Sequence, residues 1–492
     1  MSDLTVMTAM KRIRHWLPLI LIAAFILAGC ERKPIPEEEE EEQAQATVLI
    51  QKINGFIKEA MTDVYLWYDK MPVIDIRYET DPKVYFDKLL YSEDRWSYIT
   101  DNITAFEGSL QGVEKTYGYS LAFGRFVDGT GSPTGNYFAI VEYVYPNTPA
   151  SQAGFARGDL IIRLNGGNIT AANYRNLLSG TSISVTKGIL TGEGIATGAT
   201  VPLLAAELNL DPVLMYKVID IDGHKIGYLI YLQFITSYNS TSLNLAMQYF
   251  KENQITDLVL DLRYNPGGFT AAAQYLTSSI APQSVVDNSS TLVTYQWNDK
   301  YQAYWVSNNR QDQLGVNFNP AVPVKLGLGK VHILTGYGTA SASELTICGL
   351  EPYMDVITVG DTTYGKYTAS FTIKPEDVYA NEAAYTDFKN WGIQPIVIRY
   401  ANAQGITNFK DGFAPDFRVK DELLPALPLG DLTEPLLKKA VEDITGTIIP
   451  VPKKAVLPFE YIIVDRGFSE FDNQKRNLFI DRPGLPELFL NK

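Results

Sequence analysis

Two cysteines in 492 residues, Cys30 and Cys348, leave no material for a disulfide framework. Histidine is nearly as scarce, with His15, His224 and His332 the whole set. His15 falls in an N-terminal leader, so a Ser-His-Asp triad would have to use His224, in a turn between strands, or His332, inside an apolar strand. With no cysteine cluster and no His-Glu-x-x-His, a zinc site lacks its ligands. A basic face is missing too. The 42 Lys and Arg against 56 Asp and Glu give a net charge of −14, which argues against a nucleic-acid partner. Cys348, seven residues beyond Ser341, reads as a small buried helix residue rather than a second nucleophile.

What is present is ordinary for folded domains: 46% hydrophobic and 20% charged residues, on a length that suits about three domains. Residues 1–30 stand apart. Lys11, Arg12 and Arg14 precede an apolar run from Trp16 to Leu27, and the order positive, apolar, small is that of a secretory signal. Its end, Leu27-Ala28-Gly29-Cys30, resembles a bacterial lipoprotein signal. That resemblance implies lipidation of Cys30, contact with a membrane through the lipid, and a place in the cell envelope. The run Glu37 to Glu42 with Pro34 and Pro36 makes residues 31–42 a self-repelling, solvated tether.

Residues 43–106 predict a small helical domain. Leu49, Ile53, Phe56, Ile57, Ala60, Met61, Val64 and Trp67 fall at helical spacing, and Asp81-Pro82 opens a second helix as N-cap and first turn. Nothing in this domain carries visible chemistry. Residues 107–208 predict short strands. Within them Thr148 to Gly154 reads as a proline-led short helix, Gly158-Asp159 as a turn, and Leu160 to Leu164 as a strand ending in Asn165-Gly166. This resembles a PDZ domain. Gly118, Tyr119, Ser120 and Leu121 sit where that family has its carboxylate-binding loop, which implies peptide binding by strand addition. Residues 209–446 alternate strands and helices around a buried sheet. Residues 447–492, with Pro452, Pro458, Pro483 and Pro486, read as a tail packed on the surface.

The chemistry concentrates between Gly338 and Lys366. A strand-like run, Val331 to Leu334, turns through small residues into a helix beginning near Ser341. A second run, Val356 to Val359, leads to Gly365-Lys366. Adjacent strands bring their ends together, so serine and lysine can meet. Gly360 to Lys366 also fits the start of a phosphate-binding loop, but Tyr367 replaces the required Ser or Thr and a strand pattern follows instead of a helix. A lysine serves as base for a serine if burial keeps its amine neutral. The N–H of Ala342 at the helix start, and those of Gly267 or Gly268 at the end of a buried strand, are suited to an oxyanion. Taken singly each has a plainer reading: Ser341 as an N-cap, Lys366 as a surface lysine, Gly267-Gly268 as a loop.

Taken together, these segments resemble the C-terminal processing, or tail-specific, serine peptidases, which join a PDZ domain to an α/β core of the crotonase/ClpP-like type. The resemblance runs from about Tyr117 to Gly446 through the PDZ segment, Leu260 to Gly268, Gly338 to Glu344, Gly360 to Lys366, and Gly412 to Asp416. It implies that Ser341 is the nucleophile and Lys366, 25 residues on, the base, with Ser343 as the off-spacing alternative. Many members carry a glutamine four residues after the lysine to orient it. Here that position is Ser370. The expectation is a serine endopeptidase working through an acyl-enzyme on protein substrates with free C-termini, without cofactor or metal. The rival from another class is a non-catalytic peptide-binding surface lipoprotein.

Overall fold

The computed structural model describes residues 44–451, 457–468, 476 and 478–480. The lipoprotein signal, Cys30 and the acidic tether lie outside these. The fold is mixed α/β, with two six-stranded sheets and a separate strand-rich domain.

The first described helices form as their caps dictate. Helix α1 (Val48–Val64) is capped by Thr47, whose Oγ1 accepts from the Ile50 N–H, and it buries Ile53, Phe56, Ile57, Ala60, Met61 and Val64. It ends at Val64, short of the Trp67 that also fits the helical spacing, and a 3-10 turn spans Tyr68–Lys70. Helix α2 (Pro82–Leu89) starts on Asp81, which caps the Lys83 and Val84 N–H groups, and α3 (Ile103–Leu110) follows.

The strand-rich domain consists of β1 (Tyr119–Val127), β2 (Pro133–Val144), the short helix α4 (Pro149–Gln152), β3 (Leu160–Leu164), β4 (Ser182–Thr191) and β5 (Gly194–Leu204). Thr148 caps α4 and Pro149 stands in its first turn, as the sequence pattern required.

The core is built from β6 (Val213–Ile221), β7 (His224–Tyr231), α5 (Asn244–Glu252), β8 (Asp257–Asp261), β9 (Gly268–Phe269), α6 (Thr270–Ile280), β10 (Thr291–Trp297), β11 (Gly315–Asn317), β12 (Lys330–Thr335), α7 (Ala342–Leu350), β13 (Asp355–Gly360), β14 (Thr368–Ser370), β15 (Ile396–Asn402), β16 (Phe417–Arg418) and α8 (Pro435–Thr445). One sheet runs β6-β7-β8-β12-β13-β16. β6 and β7 form an antiparallel hairpin and every later pair is parallel. A parallel sheet is covered on both faces, so its strands are apolar throughout. Leu258, Val259 and Leu260 of β8 are fully buried. Leu258 and Leu260 pack with α5 and α6 on one face, and Val259 packs with Leu436, Leu437, Ala440 and Val441 of α8 on the other.

The polar and aromatic region 283–323 contains helical segments at Gln283–Asp287 and Asp299–Ser307. Asn298 caps the second of these and Trp305 is fully buried from it. The C-terminal residues differ more from expectation. Instead of lying on the surface, β17 (Tyr461–Gly467) joins the edge of the strand-rich domain, giving the order β17-β1-β2-β3-β4-β5. β18 (Leu478–Phe479) enters the second core sheet, ordered β9-β18-β14-β15-β10-β11, and lies parallel to both of its neighbours. Leu478 is fully buried there.

Candidate active site

Three parallel strands, β8, β12 and β13, end side by side, and the loops leaving their C-terminal ends carry the residues singled out in the sequence. Crevices at this end of a parallel sheet are the usual place for a site. The loop after β12 reaches Ser341, the loop after β13 reaches Lys366, and the loop after β8 holds Gly267 and runs into Gly268, the first residue of β9.

Ser341 caps α7 with φ 63° and ψ −112°. A side chain costs energy at positive φ, so such a conformation persists only where its surroundings enforce it. The result is a sharp strand-to-helix turn that holds the serine at the head of a fully buried helix. Its Oγ is buried and has no hydrogen-bond partner. Ser343, by contrast, donates its hydroxyl to the Asn265 carbonyl at 3.0 Å. The second serine of the motif is thus a structural clamp.

Glu344 holds the site together, and its position in the motif gave no hint of that role. One carboxylate oxygen accepts the Ser341 N–H at 2.8 Å and the Lys366 N–H at 2.8 Å. The other accepts the Thr363 hydroxyl and the Gly365 N–H, both at 2.6 Å. One buried side chain therefore fixes the serine turn and the lysine loop to each other. Burial pushes its pKa up to about 7, against the pull of the Thr363 hydroxyl and the three N–H groups. The Tyr400 hydroxyl adds a second tie, donating to the Lys366 carbonyl at 3.0 Å with the Ser341 carbonyl 3.4 Å away.

Lys366 is completely buried, so it is not the surface lysine of the plainer reading. Burial drives its pKa well below the usual lysine value, with Asp94 and Glu344 pulling the other way. The amine lies 5.1 Å from the centre of the Trp96 ring. Asp94 and Trp96 come from the N-terminal domain, where the sequence displayed no chemistry. Asp94 is itself held in place, accepting from the Tyr65 hydroxyl at 2.8 Å and from the Trp96 N–H at 2.9 Å. Ser370 is buried in β14 and its hydroxyl has no hydrogen-bond partner, so it does not bond the amine.

The glycine turn closes the site. A Cβ on Gly267 would lie 2.6 Å from the Ser341 Cβ and 2.8 Å from its Oγ, so only glycine allows this approach. Asn265 holds the turn: its carbonyl accepts from the Ala340 N–H at 3.2 Å and its side chain accepts the Gly267 N–H at 2.9 Å. The Gly267 N–H is therefore engaged away from the serine. Ala342 occupies the first position of α7, where the helix itself supplies no acceptor for the N–H.

The remaining nucleophile and base candidates are elsewhere. His224 bonds Asp257 at 2.8 Å, and His332 bonds Asp443 of α8 at 3.0 Å. Cys348 is buried inside α7 and its thiol is pushed up to about 12. The Gly360 to Lys366 segment runs into strand β14, not a helix, as Tyr367 foretold. In the strand-rich domain the Ser120 hydroxyl donates to the buried Glu142 carboxylate at 2.8 Å, and the Gly118 N–H donates to the Thr116 hydroxyl at 3.3 Å.

The family model for the peptidase S41 N-terminal domain matches residues 52–98, that for a PDZ domain residues 140–186, and that for peptidase family S41 residues 225–419. Carboxy-terminal processing protease CtpB of Bacillus subtilis (strain 168) is 22% identical over 299 residues, covering 56% of this chain and 57% of that protein. The chloroplastic C-terminal processing peptidase of Tetradesmus obliquus is 24% identical over 296 residues, covering 57% and 56%. The chain thus spans a little over half the length of these relatives. Among solved structures, the "Putative S41 protease" of Bacteroides fragilis NCTC 9343 aligns with a TM-score of 0.65 and 27% identity, over 80% of this chain and 97% of that one. The chain thus carries, in order, a peptidase S41 N-terminal domain at 52–98, a PDZ domain at 140–186 and a peptidase family S41 domain at 225–419, on an α/β architecture shared with that solved structure.

Proposed function

We propose that the chain is a serine endopeptidase that cleaves protein substrates through an acyl-enzyme. Ser341 attacks the scissile carbonyl and Lys366 takes its proton. The observation that carries this reading is a completely buried lysine, its pKa driven down by desolvation, tied through Glu344 to the turn that bears the serine. A neutral amine is the form able to act as base. The Ala342 N–H and one N–H of the glycine turn stabilise the tetrahedral oxyanion. Gly268 is the better candidate of the two glycines, because Asn265 holds the Gly267 N–H. No step calls for a metal or cofactor.

The substrates are polypeptides engaged with the help of the PDZ domain. The names of the relatives support capture of substrate C-termini at Gly118 to Leu121. The buried Glu142 beside Ser120 opposes it, since two carboxylates at one buried site repel. The sequence Leu27 to Cys30 supports lipid anchoring of the chain in the cell envelope.

The test is degradation of an unfolded protein substrate by Ser341→Ala and Lys366→Ala variants, together with labelling of Ser341 by a serine-directed covalent probe. Both variants should lose activity, and labelling of the parent should rise with pH. Parent-like degradation by either variant would sink the proposal and favour a non-catalytic binding protein.

A further inference from the structure

Strand β17 lies where a PDZ ligand would lie. It pairs antiparallel with β1, whose first residues, Tyr119 to Leu121, are strand where the sequence suggested a loop, in the register Leu121↔Gly467, Ala122↔Arg466 and Phe126↔Tyr461. On its other side Asp465 meets the Tyr174 hydroxyl at 2.9 Å and the Arg175 guanidinium, both on the helical turn Tyr174–Leu177. The chain's own strand thus fills the groove between the loop-bearing edge and a helical wall, the setting in which a peptide is bound by strand addition.

The charges around this strand do not suit a free C-terminus. At the loop end of the groove, Glu142 is 2% exposed and accepts from Ser120. Asp421 lies close by, bonded to the Tyr264 hydroxyl at 2.7 Å and paired with Arg157 at 2.7 Å and Arg263 at 3.3 Å. Arg466 of β17 pairs with Glu142 and stands 3.4 Å from Asp421. The head of this strand is not a chain terminus: beyond Gly467 the chain continues into Phe468, which packs on Tyr143 and Tyr145. Without Arg466, Glu142 would be a buried anion short of its partner, a costly arrangement. A cavity lined by Ser120, Glu142, Tyr264, Pro266, Gly338 and Arg466 joins this point to the turns that carry the candidate active site.

We propose that the outer edge of β1 is a binding site for an extended segment carrying an arginine, filled in cis by residues 461–467, and that a substrate polypeptide enters it by exchanging with β17 through a basic residue rather than by presenting a terminal carboxylate. This rests on the proteolytic reading only for the identity of the incoming chain. The binding itself is independent of hydrolysis.

The experiment uses the full chain carrying Ser341→Ala, so that nothing is cleaved, and a fluorescent peptide of residues 459–468, Phe-Glu-Tyr-Ile-Ile-Val-Asp-Arg-Gly-Phe. The peptide is made as an amide, as a free acid, and as an amide with Arg466→Gln. In the protein, Asp465→Ala loosens the resident strand, and R125C/I462C, at directly opposed positions, locks it under oxidation. Amide and acid should bind within about twofold of each other. The Arg466→Gln peptide should bind at least about tenfold more weakly, as for loss of one partner of a buried ion pair. Asp465→Ala should tighten apparent binding, because the competent state becomes more populated. The oxidised lock should abolish binding and reduction restore it. A tenfold preference for the free acid, equal binding of the Arg and Gln peptides, binding to the locked protein, or no binding even to the Asp465→Ala protein would each overturn the proposal. Loss of activity in Ser341→Ala would be measured separately, so failure of one idea leaves the other legible.

Discussion

Replacing Glu344 with glutamine separates positioning from stability at this site. The carboxylate serves four donors: the N–H groups of Ser341, Gly365 and Lys366 and the hydroxyl of Thr363. Gln keeps the shape but turns one oxygen into a donor, so two of those four face a group that cannot accept. A buried unsatisfied donor costs about 1–3 kcal/mol, or about 2–6 kcal/mol for the pair. The opposing effect is relief of a buried charge. A carboxyl whose pKa moves from 4.5 to about 7 on folding loses about 3 kcal/mol of stability once the pH exceeds 7. The sign follows from proton uptake. Between these values the folded state holds the proton longer than the unfolded state, so stability falls as pH rises. Glu344→Gln removes that fall. At pH 8 the two effects largely offset, leaving a net change of roughly −1 to +3 kcal/mol in urea unfolding. Catalysis has no such offset. A serine turn and lysine loop released from their common tie move relative to each other, and a shift near 1 Å costs about a hundredfold. The expected result is hydrolysis of an unfolded substrate, and serine-probe labelling, down about a hundredfold or more in a protein that still unfolds cooperatively. Parent-like labelling by Glu344→Gln would refute the reasoning, whatever its stability.

Ser341→Gly should abolish hydrolysis yet raise stability by about 1–2 kcal/mol, because glycine carries no penalty at φ 63°; thermal unfolding checks the sign. Lys366→Met should also be inactive. Since the folded lysine pKa is depressed, the unfolded state alone holds its proton between the folded value and about 10.5, and parent stability rises with pH across that window. Lys366→Met should lack this slope, with its advantage greatest at low pH and vanishing toward pH 10.5. Gly267→Ala puts a methyl 2.6 Å from the Ser341 Cβ at a positive φ of 113°, so activity should disappear with a loss of several kcal/mol, about 2–4, in urea unfolding.

Sequence alone settled what depends on local patterns. Caps at Asp81 and Thr148, the turn through Gly158, and the apolar run of β8 carry their structural meaning in a few adjacent residues, because backbone donors and buried strands impose simple demands. The same holds for the serine turn and the lysine, which lie on consecutive strand ends of one parallel sheet. Tertiary structure decided what joins distant segments. Asp94 and Trp96 reach Lys366 from a domain 270 residues upstream by number, and Tyr400 ties two carbonyls from β15. Neither contact leaves a trace in spacing or hydrophobic period. Ser370 suited a lysine-orienting role by its position, yet its strand geometry turns the hydroxyl into a buried group without a partner. The C-terminal residues show the difference most clearly. Their prolines suggested a surface tail, whereas the apolar runs Tyr461 to Val464 and Leu478-Phe479 are used in strands, because the edge of β1 and the gap between β9 and β14 supply the pairing partners that no local sequence contains.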